Sequence, residues 1–159
     1  MLLRGRWHIT HRNKSGLLIA EYDIKNAISD EGINYLLDAG FNAVAALNPW
    51  YIGLIDSTGF TAIAGTDTMA SHAGWAELTA YSNATRPTWT SGSAATRVIT
   101  NATAVDFTMN ATNTVKGLFI TSNNVKGGTT GKLWSAALFG TATLVNNTDV
   151  LAATYSLSG

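Results

Sequence analysis

The chain has 159 residues, 46% of them hydrophobic and 13% charged, with zero formal net charge and no cysteine. That is enough apolar material for one domain with a core, and too little charge for a disordered chain. Zero net charge gives no broad field toward nucleic acid or an anionic membrane, and no apolar run nears the roughly 20 residues of a bilayer span, so neither is expected as a partner. Without cysteine, disulfide and thiolate chemistry are excluded.

The first segment, Met1 to Arg6, lacks the apolar stretch of a signal peptide, which predicts a protein made in a cytoplasm. Arg6 to His11 then alternates, with Trp7, Ile9 and His11 on one side and Arg6, His8 and Thr10 on the other. Asn13-Lys14-Ser15-Gly16 supplies turn residues, and Leu18 to Ile24 alternates again. Residues 1–25 therefore read as an N-terminal hairpin or docking segment of a single domain spanning 1–159. A short helix is expected near residues 30–39. Ser29 can cap it, Asp30 and Glu31 suit its first turn, and Ile33, Leu36, Leu37 and Phe41 form its apolar face. Gly40 suits the residue after its end.

Everything beyond the helix reads as β. Trp50–Ile55 is an apolar run, and Asp56–Gly74 a long, partly ordered loop. Trp75–Leu78 is a short strand, and Ser82–Gly92 a connection. Thr96–Asn101 and Ala104–Met109 alternate and are expected to pair with each other. Val115–Thr121, Lys132–Phe139 and Val150–Leu157 complete the set, with Lys126–Gly131 and Asn146–Thr148 as loops. About eight or nine short strands with regular turn signals predict an all-β sandwich.

Beyond Ile33 only eleven charged side chains remain, spread singly. His8 and His11 lie three apart in a strand and so face opposite ways, which argues against a shared metal. Lys126-Gly127-Gly128-Thr129-Thr130-Gly131-Lys132 lacks the first glycine and the final Ser or Thr of a phosphate loop. Asp56, Asp67, Glu77 and Asp106 are carboxylates that nothing pairs about one site, and Ser71-His72 near Asp67 lacks the spatial order of a triad. No enzyme activity, cofactor or metal is expected. Asn-X-Ser/Thr at Asn13, Asn83, Asn101, Asn110 and Asn146 reflects composition. Of the five tryptophans, Trp75 and Trp89, with Tyr81 and Tyr51, are candidates for exposed contact with a sugar. Arg4, Arg6 and Arg12, with Trp7, are candidates for contact with an acidic protein surface.

Several segments carry a resemblance. They are Trp50–Asp56, Asp67–Trp75, Val115–Ser122, Lys126–Gly131 and the closing Asp149-Val150-Leu151. Together they resemble small virion structural proteins of tailed bacteriophages, in particular capsid decoration, or cement, proteins. The resemblance spans most of the chain. It implies a β-sandwich, often jelly-roll-like, on the outer capsid surface, where it bridges major capsid subunits as a dimer or trimer. It implies no catalytic residue. The alternative is a tail or head-fibre module that binds host surface glycans through exposed aromatics.

Two strands lack the alternation of a sheet with one wet face. Val115, Gly117 and Phe119 oppose Leu118 and Ile120, while Leu133, Ala137 and Phe139 oppose Trp134, Ala136 and Leu138. Both must be covered on both sides. The expectation is a homo-oligomer, a trimer ahead of a dimer, with Leu118, Ile120, Trp134 and Leu138 at the subunit interface. The competing expectation is that the helix and the 56–74 loop do the covering.

Overall fold

The computed structural model describes residues 3–159, so the first two residues of the N-terminal segment lie outside it. Strands β1 (Arg4–Arg12) and β2 (Leu18–Lys25) form the expected hairpin. Asn13 Oδ1 accepts from the backbone N–H groups of Ser15 and Leu17, and Gly16 takes the left-handed backbone at φ +81° that closes the turn. After β3 (Ala27–Ile28) and α1 (Asp30–Phe41) come β4 (Trp50–Asp56), β5 (Glu77–Leu78), β6 (Thr88–Trp89), β7 (Val98–Thr100) and β8 (Val105–Thr108). The long strands β9 (Asn113–Thr121), β10 (Leu133–Val145) and β11 (Val150–Ser158) follow.

These form two antiparallel sheets, an all-β sandwich. The first runs β2-β1-β11, with β7 and β8 end to end along the far edge of β11. The second runs β3-β10-β9-β4, with β5 and β6 along the far edge of β4. The described residues hold eleven strands, more than expected, because β3 and β6 are two-residue pairings too short to leave a periodic trace.

The main core lies between the sheets. Trp7 and Ile9 of β1 and Leu151, Ala153 and Tyr155 of β11 meet Ile52, Leu54, Leu118 and Ile120 of the second sheet. A second cluster lies on the outer face of the second sheet. There the segment between β4 and β5 lays Met69 and Trp75 over Ile55, Phe119, Leu133 and Ala136, with Phe60 and Ile63 at the margin. That segment is a fitted cover, not a loose loop. Thr61 N–H bonds the Gly74 carbonyl, and Trp75 Nε1–H donates to Asp67 at 3.0 Å. A Cβ on Gly74 would overlap the Ala62 carbonyl, so the chain crosses there only as glycine.

The double-sided apolar character of β9 and β10 therefore has an internal cause. Leu118 (0% exposed), Ile120 (1%) and Trp134 (7%) belong to the sandwich core, and half-buried Leu138 packs against the covered cluster. A partner subunit is not what covers Leu118, Ile120 and Trp134, so their assignment to a subunit interface is corrected, while Leu138 keeps part of its surface open on the outer face. The expected phase of β10 also shifts. The β9–β10 register slips between Leu133 and Ser135, which puts Trp134, Ala137 and Phe139 inward and Leu133, Ala136 and Leu138 outward. One bulged residue reverses every side chain beyond it.

The expected pairing of β7 with β8 does not occur; both pair with β11. Asn101, at the junction between them, stands in for the missing ladder. Its Oδ1 accepts from Tyr155 N–H (2.8 Å) and Trp89 Nε1–H (3.2 Å), and its Nδ2 donates to the Thr103 and Ala153 carbonyls. A buried amide side chain has the two donors and one acceptor oxygen that replace a peptide group here.

Ser29 caps α1 as expected, its Oγ accepting from Gly32 N–H at 3.0 Å. Glu31 then anchors the first turn on β10 by accepting from Leu133 N–H at 2.7 Å. The helix runs past Gly40 to Phe41 and ends at Asn42, with Ala43 at φ +55° as the left-handed residue. Only Gly32 of the helix is fully buried. An apolar face of this kind suits a helix that lies on a sheet or closes a sandwich end; α1 meets the end of the sandwich with Tyr35 and Leu36, while Leu36, Leu37 and Phe41 stay exposed.

Candidate interaction surfaces

Alternation along β1 sends Arg4, Arg6, His8 and Arg12 to solvent and Trp7, Ile9 and His11 inward. Trp7, 1% exposed, is a core residue packed at 4.8 Å and a 45° tilt against Tyr155, so its assignment to a partner contact is corrected. The register sets Arg6 beside Lys25 of β2. Arg4, Arg6 and Lys25 line one notch at that end of the sheet. Among the described residues, no carboxylate forms an ion pair with Arg4, Arg6, Arg12 or Lys25. Of the nearby acids, Asp23 pairs with His8 at 3.1 Å and Glu31 with Lys132 at 3.3 Å, while exposed Glu21, opposite Thr10, forms no ion pair among the described residues. Arg12 also braces the hairpin by donating to the Gly16 carbonyl.

A second surface lies where α1 crosses the end of the sandwich. A cavity of about 350 Å³ opens there, walled by Tyr35 and Leu36 of α1, Trp50, Trp89, Trp134 and Tyr155. The rings pack edge to face, Trp50 on Trp134 at 6.0 Å and Trp89 on Tyr155 at 5.7 Å. The polar atoms of Trp89, Trp134 and Tyr155 are occupied. Trp134 Nε1–H donates to the Tyr155 hydroxyl at 2.9 Å, and Trp89 Nε1–H donates to Asn101. Burial pushes the Tyr155 phenol up, with the hydrogen bonds from Trp134 and its neighbours opposing, so it stays neutral. The walls thus offer apolar surface and few free donors. Beside the cavity, every residue from 41 to 49 is exposed, including Phe41, Val44 and Leu47.

The buried ionisable groups hold the fold. Glu77 and Arg86 form a buried, two-bonded pair, Nη2–Oε2 2.7 Å and Nε–Oε1 3.0 Å. Arg86 also donates to the Asn123 and Gly128 carbonyls, and Gly127 N–H donates to Glu77. Lys126 reaches back to the Tyr81 and Asn83 carbonyls. Burial pushes the Lys126 ammonium down, partly opposed by the Glu77 carboxylate. The 126–131 stretch is therefore a bonded loop and not a free one. His11 and Asp149 form a buried pair at 2.9 Å. His8 faces the opposite way, as the spacing predicted. Among the described residues no group of three or more His, Asp or Glu side chains could hold a metal ion. Asp67 accepts from Trp75 and from Ala64 N–H, and Asp56 caps Thr58 N–H, so neither is left free beside a second carboxylate.

The aromatics expected to meet a sugar are mostly internal. Trp75 is 5% exposed and Tyr81 0%, while Tyr51 and Trp89 are half-buried. Sequence reasoning missed the aromatic cavity and the Glu77–Arg86 clamp. The signal for the first was the apolar run 43–47, directly after the helix and bounded by Asn42 and Asn48-Pro49. For the clamp there was none, because its partners come from three separate segments. Compared with known protein families and with curated proteins, the sequence matches none.

Proposed function

We propose that the protein is a capsid decoration protein of a tailed bacteriophage, a self-associating clip on the outside of the shell that bridges major capsid subunits. The reading starts from the resemblance of Trp50–Asp56, Asp67–Trp75 and Val115–Ser122 to such proteins. The observation that carries it here is the outward row Arg4, Arg6 and Arg12, with Lys25 alongside, cations that no described carboxylate neutralises. The guanidinium forks of the three arginines suit carboxylates on a protein partner. Several such contacts held by one rigid oligomer give tight docking though each is modest. The glycan reading has less support, since Trp75 and Tyr81 are internal and the cavity walls offer few free donors.

Adding the protein to shells of the major capsid protein should raise their disruption temperature, at hundreds of copies per virion. Replacing Arg4, Arg6 and Arg12 together with Ser should weaken that binding. The loss should be larger at low salt than at high salt, where screening already suppresses the charge contribution. Shells with unchanged disruption temperature and no bound protein would overturn the reading.

A further inference from the structure

We infer that the α1 end of the sandwich is where copies of this chain meet, with the Leu37–Phe41 edge of one copy seated in the aromatic cavity of the next. The inference deepens the self-association in the reading above and does not depend on the capsid.

The first observation is exposure. Leu36 is 40% exposed, Leu37 51%, Phe41 85%, Val44 45% and Leu47 37%, all within twelve residues of chain. Together they leave on the order of 450 Å² of side chain in water, a size at which a monomer's largest apolar patch is often functional. A standard interface buries about 800 Å² per partner. The exposed 41–49 segment and the cavity mouth supply the remainder.

The second observation is shape. Leu36 and Ala39, three apart on α1, wall the cavity, while Leu37 and Phe41, four apart, form the adjoining edge. Each copy therefore carries a projecting apolar edge and an apolar recess side by side. A surface that holds both halves of a contact can be satisfied by its own copy, reciprocally in a dimer or head to tail in a closed ring.

The third observation is charge. Asp38 is the lone charged residue between 33 and 49, and it is tied to Asn42, whose Nδ2 donates to it at 2.6 Å. The stretch itself therefore offers little charge to repel a second copy; Asp30, Glu31 and Lys132, which share a groove with Val44, carry both signs, with Glu31 and Lys132 paired at 3.3 Å. The cationic row is distinct in chemistry and sits on the outward face of β1, with Arg4 and Arg6 across from Ser158 and Ser156, next to the cavity-lining Leu157 and Tyr155.

The experiment uses the purified full chain, with mass measured by sedimentation from low to high micromolar concentration. The unmodified protein should assemble. Leu37→Asp/Phe41→Asp should weaken assembly by at least ~100-fold, since each of the two apolar side chains removed is worth roughly tenfold or more. Because both residues are exposed in the single chain, the dilute variant should melt like the dilute parent. Ala46→Glu, which blocks the recess, should also give monomers. Mixing the two variants should restore a two-chain species, since one retains the recess and the other the edge. Acrylamide quenching of tryptophan should fall with concentration in the parent and not in either variant alone. A parent that stays monomeric at high micromolar concentration would overturn the inference, including one whose cavity takes up an apolar dye. So would variants that still assemble, or a mixture that does not. If the variants become monomers that still bind shells through the arginine row, the interface stands whatever the capsid result.

Discussion

The Glu77–Arg86 clamp gives the sharpest test of how this fold is held. Arg86 is 1% exposed, and its guanidinium lies 5.2 Å from the Phe119 ring centre. Four side-chain bonds leave it, two to Glu77 and one each to the carbonyls of Asn123 and Gly128. Arg86→Met keeps the volume and the packing on Phe119 but strands the Glu77 carboxylate, which retains Gly127 N–H and the Tyr81 hydroxyl. It also strands two carbonyls. Breaking a buried pair from one side costs about 3–5 kcal/mol. At ~2–4 °C per kcal/mol for a chain of this size, the melting temperature should fall by about 6–20 °C. Removing both charges, as Arg86→Met with Glu77→Leu, should cost less than the sum of the two single changes, because neither charge is then left alone. Thermal and urea melts followed by circular dichroism read all three variants. Hydrogen exchange should show residues 122–131 loosening first in Arg86→Met. A fall under about 3 °C, one kcal/mol or so on that scale, would refute the claim that this pair organises the three segments.

Two further outcomes follow from burial. Leu118→Asp and Phe119→Asp should both unfold the domain, each costing at least ~3 kcal/mol, since one side chain lies in the sandwich core and the other under the 57–76 cover; a folded, dissociated Phe119→Asp subunit would show that the cover is not intrinsic. For Asp149, burial alone would raise the carboxyl, but hydrogen bonds from His11 and the Asn146 backbone outweigh it and hold it below its usual value of 3.8. A depressed carboxyl stabilises the fold above its unfolded value, and that stability is lost as pH falls through the folded value. Asp149→Asn should therefore melt lower at neutral pH and show a shallower loss in acid, and an unchanged acid slope would contradict the pairing.

Strand identity was legible where a period was long enough to read. The alternation of Trp7, Ile9 and His11 against Arg6, His8 and Thr10 gave the two faces of β1, and Ser29 with Asp30 and Glu31 gave the start of the helix. The outward Arg4, Arg6 and Arg12 of the cationic row were also legible, because side-chain direction in a strand follows from parity alone. What covers an apolar face is a different matter. Leu118 and Phe119 announce that both sides of β9 are dry, but a distant loop, a helix or a second copy would each satisfy that pattern. Only the return of residues 57–76 across the second sheet decided it. Parity itself failed at Trp134 and Ser135, where a bulge moved every later residue of β10 to the other face. The helix face was read as buried because Ile33, Leu36, Leu37 and Phe41 recur at helical spacing, yet only the first turn reaches the sheet. Local sequence determined which residues form elements and which way their side chains alternate, since those depend on neighbours in the chain. The clamp at Arg86, the aromatic cavity and the exposed Leu37–Phe41 edge depend on which elements meet. Those long-range packing choices are made by the whole fold, with no local period to announce them.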